Sequence, residues 1–328
     1  MLVCISANPA IDRRLRLQNN IAVGEINRAL SAQPFPGGKA AHVAMVAKAL
    51  GLDVMWVGFL GGATGEQCES GLSAFGVPLT VIRTQSETRA NLELVSPDGK
   101  VTEILEPGGA VTEGEVERLL TTCRDLFAES ERGTQVALSG SLPPGAPPDL
   151  YGELIRLAHL YGCRTLLDSS GEALRQGLKA APEFVKPNRN EASAFANRRI
   201  DSPTAAVEVT RMFFEADAKS VAISLGADGM IWQQTSTGDP FVSEPSLLAN
   251  CSPVGCGDAA LAGFAVAHER GLSEEETLRL ATACGSANCL ADAPGRVDAG
   301  DVSRLVREIR VRRIVSRESS QSAAVEVQ

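Results

Sequence analysis

The tetrapeptide Gly255-Cys256-Gly257-Asp258 sets a single carboxylate directly after a turn that two glycines make pliable. Glycine lets successive main-chain N–H groups converge on one point, and a helix starting there adds the positive end of its dipole. Such a nest binds anions, so a carboxylate beside it calls for a purpose. It could accept the proton of a hydroxyl that attacks a phosphoryl group, while the amides hold the charge growing on the transferred oxygens. The same four residues also serve as a plain helix start, where an aspartate is common for structural reasons alone.

Four other stretches carry residues of comparable chemical use. Gly37-Gly38-Lys39 opens an apolar helical run, and its turn could approach a ligand closely. It is not a Walker phosphate loop, because Ala40 stands where a Ser or Thr would follow the lysine. His42 sits one helical turn in, on the side that would face such a ligand; a lone histidine serves equally as a packed residue. In Lys186-Pro187-Asn188-Arg189-Asn190-Glu191 a strand gives way to a helix. Asn188 and Glu191 have the spacing of a capping box, and the same oxygens suit a hydrated magnesium ion. Ser224-Leu225-Gly226-Ala227-Asp228-Gly229 follows a buried strand, either as a glycine-rich hairpin or as the place where nucleotides meet an open α/β sheet. Asp12, in Asn8-Pro9-Ala10-Ile11-Asp12, could accept sugar hydroxyls or close an Asx turn. Arg28 and Arg89 could clamp a phosphate or be solvated arginines.

The elements that must position these residues follow a regular rhythm. Short apolar runs at Leu2–Ser6, Val54–Phe59, Gln135–Leu138, Thr165–Asp168, Phe184–Lys186 and Ser220–Ser224 read as strands. Helical patterns lie between them at Ala40–Leu50, Gly65–Phe75, Glu113–Phe127, Asp149–Tyr161 and Thr204–Glu215. That alternation predicts an α/β domain whose mostly parallel sheet is covered on both faces. Two segments, about 13–33 and 86–106, instead read as turn-punctuated strands, the second with Asp98-Gly99 at a hairpin tip. Neither has the apolar residues for a core of its own. Together they predict a small β-sheet flap, a candidate lid that excludes water. One domain is expected over residues 1–311, with a polar, flexible tail over 312–328.

Composition narrows the class of partner. With 328 residues, 44% hydrophobic and 22% charged, the chain is an ordinary globular domain in balance. Its formal charge of −9 disfavours nucleic acid, which needs clustered lysine and arginine. Eight cysteines lack CxxC spacing and sit largely in apolar runs, which predicts buried reduced thiols rather than a disulfide framework or a zinc site. No signal-peptide pattern opens the chain and no apolar run reaches membrane-spanning length, so a cytoplasmic protein is expected.

Taken together, Asn8–Asp12, Gly37–Ala44, Ser139–Gly145, Val185–Glu191, Ser224–Gly229 and Val254–Ala259 resemble the PfkB (ribokinase-like) carbohydrate kinases. The likeness runs from Leu2 to about Ile309 and is strongest to the phosphohexose kinase branch, which holds 1-phosphofructokinase, tagatose-6-phosphate kinase and the minor 6-phosphofructokinase. The resemblance implies a ribokinase-like three-layer α/β/α sandwich with a β-sheet lid, and transfer of the ATP γ-phosphoryl group to a sugar hydroxyl. It implies Asp258 as the base and the amides of Gly255, Cys256 and Gly257 as the anion hole. Asn188 and Glu191 would act around Mg²⁺ through water, with Lys186 close by. Ser224, Leu225, Gly226, Ala227, Asp228 and Gly229 would hold ATP, with Thr282 and Ser286 near the adenine. Asp12, Gly37, Gly38, Lys39 and His42 would grip a sugar phosphate, with Arg28, Arg89 and Ser139 toward its phosphate. A homodimer through the lid is the implied assembly. A kinase of an unphosphorylated sugar or nucleoside, and a non-catalytic sensor of the same fold, are the alternatives.

Two departures bear on the acceptor. The branch pattern reads GGKG-x-N-V-A, whereas this chain carries Ala40 and His42. An imidazole offers its donor and acceptor in a different geometry from an amide, and such exchanges shift discrimination strongly where a site reads a hydroxyl. His42→Asn is expected to change the relative kcat/KM for fructose 1-phosphate, fructose 6-phosphate and tagatose 6-phosphate; unchanged ratios would take His42 off the sugar.

Overall fold

The computed structural model describes residues 1–245 and 252–314. In chain order its elements are β1 (Leu2–Ser6), β2 (Ala10–Leu17), β3 (Ala29–Gly37), α1 (Lys39–Ala49), β4 (Val54–Leu60), α2 (Gly62–Ala74), β5 (Leu79–Arg83), β6 (Arg89–Val95) and β7 (Val101–Ile104). There follow α3 (Glu113–Glu129), β8 (Gln135–Ser139), α4 (Leu150–Leu160), β9 (Arg164–Asp168), α5 (Gly171–Leu178), β10 (Phe184–Val185), α6 (Arg189–Ala196) and α7 (Pro203–Glu215). The last part holds β11 (Val221–Ser224), β12 (Met230–Gln233), β13 (Phe241–Glu244), α8 (Cys256–Glu269), α9 (Glu274–Leu290), α10 (Ala299–Glu308) and β14 (Arg310–Arg313).

One sheet runs β14-β13-β12-β11-β10-β9-β8-β1-β4-β5, parallel from β5 to β11 and antiparallel from β11 to β14. Strand β1 shows why both faces are covered. Leu2 and Cys4 point into a core shared with α1, α2, α8, α9 and α10, while Val3 and Ile5 point into a core shared with α3, α4, α5 and α7. Successive side chains of a strand alternate between faces, so a continuous apolar run serves two layers at once. The three-layer α/β/α arrangement is the one the sequence implied.

The flap is a second sheet, ordered β3-β2-β6-β7, with β2 parallel to β6 and the outer pairs antiparallel. Its β6–β7 hairpin turns at the expected Asp98-Gly99, where Gly99 takes φ 81° and Ser96 N–H donates to Lys100 O at 2.9 Å. The flap leans on α2: a Cβ on Gly71 would meet Pro36 of β3 at 2.4 Å. Inside the flap, Arg14 of β2 pairs with Glu93 of β6 at 2.6 Å, both nearly buried.

Some boundaries move. Strand pairing continues through Arg313, antiparallel to β13, so residues 312 and 313, expected in the tail, belong to the sheet; arginine-rich Arg310–Arg313 lacks the apolar alternation that marks a strand. The rest of that tail, 315–328, lies outside the described residues. The cysteines also divide: Cys4, Cys68, Cys123, Cys163 and Cys284 are buried as expected, whereas Cys256 and Cys289 are half-exposed with their Sγ atoms 3.1 Å apart. Cys251 lies outside the described residues.

Helix α8, which carries Asp258, is buried along most of its length and reads Ala-Ala-Leu-Ala-Gly-Phe-Ala-Val-Ala for that reason. Gly263 lets it press against α9, because a Cβ there would meet the Ala281 Cα at 2.6 Å. Gly263→Val is therefore expected to lower the unfolding free energy by about 1–3 kcal/mol, the scale of overpacking a close contact. Urea denaturation checks this, and an unchanged midpoint would mean that the two helices separate without cost.

Candidate active site

The strands β8, β9, β10 and β11 all end at one edge of the sheet, where helices α1, α6 and α8 begin. Ligands of open α/β sheets bind outside such strand ends. Three groups of residues meet there.

The first is a chain of charges. Asp168, the last residue of β9, is buried between two ammonium groups: Lys39 Nζ lies 2.8 Å from its Oδ1 and Lys186 Nζ 2.8 Å from its Oδ2. The Lys186 contact is oblique, an ion pair more than a hydrogen bond. Lys39 also reaches Glu191 Oε1 at 3.0 Å. Burial alone would push the Asp168 carboxyl up, but Lys186 and then Lys39 hold it below the usual carboxylate range. The Lys39 ammonium, which burial would push down, is held charged by Asp168, Glu191 and Asp258.

The second group links two carboxylates through one ring. His42 Nδ1 is 2.8 Å from Asp258 Oδ2, and His42 Nε2 is 3.2 Å from Asp12 Oδ2. Asp12 also accepts a hydrogen bond from Asn91 Nδ2 at 2.8 Å. Gly37 makes room for it: a Cβ there would lie 2.2 Å from the Asp12 Cγ. Burial pushes the His42 ring toward neutrality, yet its bonds to Asp12 and Asp258 prevail and raise it to about 10.

The third group is the glycine turn. Gly255 takes φ 80°, and a Cβ there would press on Gly295, Pro294 and Asn288 at 3.0–3.1 Å. Asn288 ties the turn down, donating to Val254 O at 2.7 Å and accepting from Gly295 N–H at 2.9 Å. Asp258 is the third residue of α8, and a Cβ on its neighbour Gly257 would be 3.2 Å from Lys186 Nζ. Of the three amides expected to form an anion hole, that of Cys256 donates to Pro253 O at 3.2 Å. The turn closes on itself there, so of these three amides those of Gly255 and Gly257 have no main-chain acceptor among the described residues.

Beside this turn lies a cavity of about 360 Å³, lined by Ser224, Gly226, Ala227, Gly229, Thr282 and Ser286 among others. Thr282 and Ser286 thus share one cavity with the Ser224–Gly229 loop. Two residues of the same loop do not line it. Leu225 is buried in the core, and the Asp228 carboxylate faces outward to Arg189, which also donates to Leu225 O at 2.8 Å. A 3-10 turn over Gly226–Asp228 turns these two side chains away.

Asn188 and Glu191 form the capping box of α6: Asn188 Oδ1 accepts from Asn190 and Glu191 N–H at 2.9 Å, and Glu191 Oε2 accepts from Asn188 N–H at 2.8 Å. Among the described residues no cluster of three or more His, Cys, Asp or Glu could hold a metal ion. Ser139 ends β8 with its hydroxyl buried and without a partner. The two arginines do not form the expected clamp. Arg89 donates to the carbonyls of Asn8, Pro9 and Glu106, and Arg28 lies exposed on the β2–β3 connection. Asp168, Asn91, Asn288 and Arg189 were not anticipated. Asp168 carried a usable signal, a strand end like that of Lys186; the other three carried none.

Over residues 2–296 the sequence matches the pfkB family of carbohydrate kinases. This chain belongs to that family. Among relatives, the 1-phosphofructokinase of Haemophilus influenzae is 33% identical over 93% of this chain and 95% of its own length. The tagatose-6-phosphate kinase of Staphylococcus epidermidis is 30% identical over 95% and 99%. Among solved structures, phosphofructokinase-2 from Escherichia coli in complex with potassium superposes with a TM-score of 0.85 at 29% identity, covering 94% of this chain and 98% of that one. The kinase is of the phosphohexose type, with ATP as donor and a sugar hydroxyl as acceptor. No helix among the described residues is long and apolar enough to cross a membrane.

In this kinase the Asp168 pair is the most exposed to a single change. Asp168→Asn would leave the buried Lys186 ammonium without its counter-charge, a loss of about 3–5 kcal/mol of stability. Because the folded Asp168 is held below its ordinary value of about 3.9, its contribution is complete above that pH and disappears as the pH falls through the depressed value. The stability gap between wild type and Asp168→Asn, from urea titrations, should be constant between pH 5 and 8 and close in stronger acid. A gap that is absent at pH 7 would contradict the pairing.

Proposed function

We propose that this kinase transfers the ATP γ-phosphoryl group to a primary hydroxyl of a ketohexose phosphate, with Asp258 as general base. The observation that carries the reading is the position of Asp258. Its carboxylate sits in the first turn of α8, beside the Gly255–Gly257 amides and near Lys186, with the cavity lined by Thr282 and Ser286 on one side and Asp12 on the other. Such an arrangement separates a nucleotide side from an acceptor side and puts a base between them.

On this reading Asp12 and Asn91 orient the sugar hydroxyls, and Gly37 and Gly38 let the main chain approach the ring. Asp258 accepts the proton of the attacking hydroxyl, while Lys186 and the amides of Gly255 and Gly257 meet the charge that develops on the transferred oxygens. The amide of Cys256 joins them once it leaves Pro253. Asn188 and Glu191, already engaged in the capping box and with Lys39, would hold a magnesium ion through water. Such an ion would neutralise charge on the phosphates and help to align them. The flap keeps water from the γ-phosphate. The β2–β3 side of the flap exposes Val23, Ile26 and Leu30, apolar surface that supports assembly through the lid in a cytoplasmic enzyme.

One observation favours a second acceptor. Arg89 is engaged by three carbonyls and Arg28 points to solvent, so the described residues hold no preformed arginine clamp for a sugar phosphate. An unphosphorylated sugar would need none. An assay of ATP consumption with fructose 1-phosphate, fructose 6-phosphate, tagatose 6-phosphate, fructose and a nucleoside separates the two readings and a non-catalytic sensor. Asp258→Asn is expected to lower kcat at least about a hundredfold with folding retained, the scale of a lost general base. Near-normal turnover under chemistry-limited conditions would remove Asp258 from that role.

A further inference from the structure

Two carboxylates on opposite nitrogens of one buried ring pose a problem of donors. A neutral imidazole carries a single N–H, so it would turn a lone pair toward either Asp12 or Asp258. Both contacts lie out of water: the side chains of His42, Asp12 and Asp258 are 5%, 5% and 9% exposed. An uncompensated carboxylate there is costly. An imidazolium donates at both nitrogens and supplies one positive charge between two negative ones.

Among the described residues no other cation touches Asp12 or Asp258: Arg89, held by the carbonyls of Asn8, Pro9 and Glu106, acts on Asp12 only at a distance, as Lys39 does on Asp258. Glu93 on β6 is paired with Arg14 on β2, and Glu103 on β7 adds a further carboxyl rather than a cation. Lys39, on the first turn of the same helix, is held by Asp168 and Glu191, and Lys186 by Asp168. Met45 and Gly295 close over the ring without charge. The contacts differ in quality. The bond from Nδ1 to Asp258 is well formed, whereas Nε2 is off the line to Asp12. The hydrogen bond and ion pair of Asp258 within the described residues run through Oδ2, not Oδ1.

We infer that His42 is a positively charged strut for the base: it grips Asp258 Oδ2 from the acceptor side, leaves Oδ1 to receive the proton of the substrate hydroxyl, and ties that oxygen's position to Asp12. This rests on the function proposed above. His42 acts through Asp258 and is a positioning residue. The off-line Nε2 contact leaves an N–H available to an acceptor hydroxyl near Asp12, so the strut also registers whether the sugar is seated. The two carboxylates favour the charged ring and raise its pKa to about 10.

The chain has three histidines, so imidazole nitrogen NMR spectra of wild type and His42→Asn assign the His42 signals directly. The ring is expected to stay doubly protonated to at least pH 8.5, and to titrate lower by about one unit or more in Asp258→Asn. A His42 ring that titrates near its ordinary value of about 6.5 would overturn the strut. The kinetic arm compares wild type with His42→Asn on the best acceptor. The ratio of their kcat values should fall about threefold or more between pH 7.5 and 10.5, as the wild-type imidazolium is lost and shared ionisations cancel. A flat ratio from two folded, active proteins would overturn it as well. If His42→Asn does not fold, the Asp258→Asn and wild-type ring titrations decide alone. A wild-type chain that phosphorylates none of the acceptors would instead defeat the functional reading, and the ring titration would still test the strut.

Discussion

Carboxylates removed from water must be paired with a cation, and helix α1 provides one to each side of this site. Lys39 reaches Asp168 and Glu191, and His42 reaches Asp12 and Asp258. These partners come from β9, α6, β2 and α8, so a single turn of helix ties together four other elements. Losing one member of a buried pair costs more than forming the pair returns, which makes the arrangement mutually dependent. Helix α1 can serve as this hub because it is packed into the core through Ala40, Ala41, Val43, Ala44 and Val46. Its entrance is a glycine pair that lets Asp12 lie across β3.

The same contacts join two parts that could otherwise move independently. Asp12 belongs to the flap sheet and Asp258 to the helix layer, and one imidazole spans them. The Gly255 turn is secured differently. Asn288 of α9 ties the Gly255 turn to Gly295, and Gly263 lets α8 lie close against α9. On the proposed function, acceptor and nucleotide would meet at the first turn of α8, where the phosphoryl group would pass from one to the other.

Much of this was legible in the sequence, and the rest failed for identifiable reasons. The strand–helix rhythm yielded the layers, and Asp98-Gly99 marked the flap hairpin. Gly37-Gly38-Lys39, Lys186, Asn188, Glu191 and Gly255–Asp258 converge because each follows a strand end or opens a helix, and parallel topology collects such positions at one edge. Partnerships were not legible. His42 and Asp258 are 216 positions apart, and no spacing rule connects them. Asn91 and Asn288 act through long-range contacts of the same kind. Arg28 and Arg89 illustrate the converse: charge and position suggested a clamp, but main-chain carbonyls near the flap hinge engage Arg89. Leu225 and Asp228 were misplaced because a 3-10 turn changed which side of the loop they present. Edge strand β14 escaped notice because pairing at an edge asks little of side chains.

The account stands on one carboxylate over a nest of main-chain donors, within reach of an alcohol. A crystal structure with a bound acceptor and a non-hydrolysable ATP analogue tests that most directly. It should place an Asp258 carboxylate oxygen about 2.6–3.2 Å from the acceptor's free primary hydroxyl, with the γ-phosphate facing the Gly255–Gly257 amides. A closed flap with that hydroxyl out of hydrogen-bonding reach of Asp258 would contradict the account.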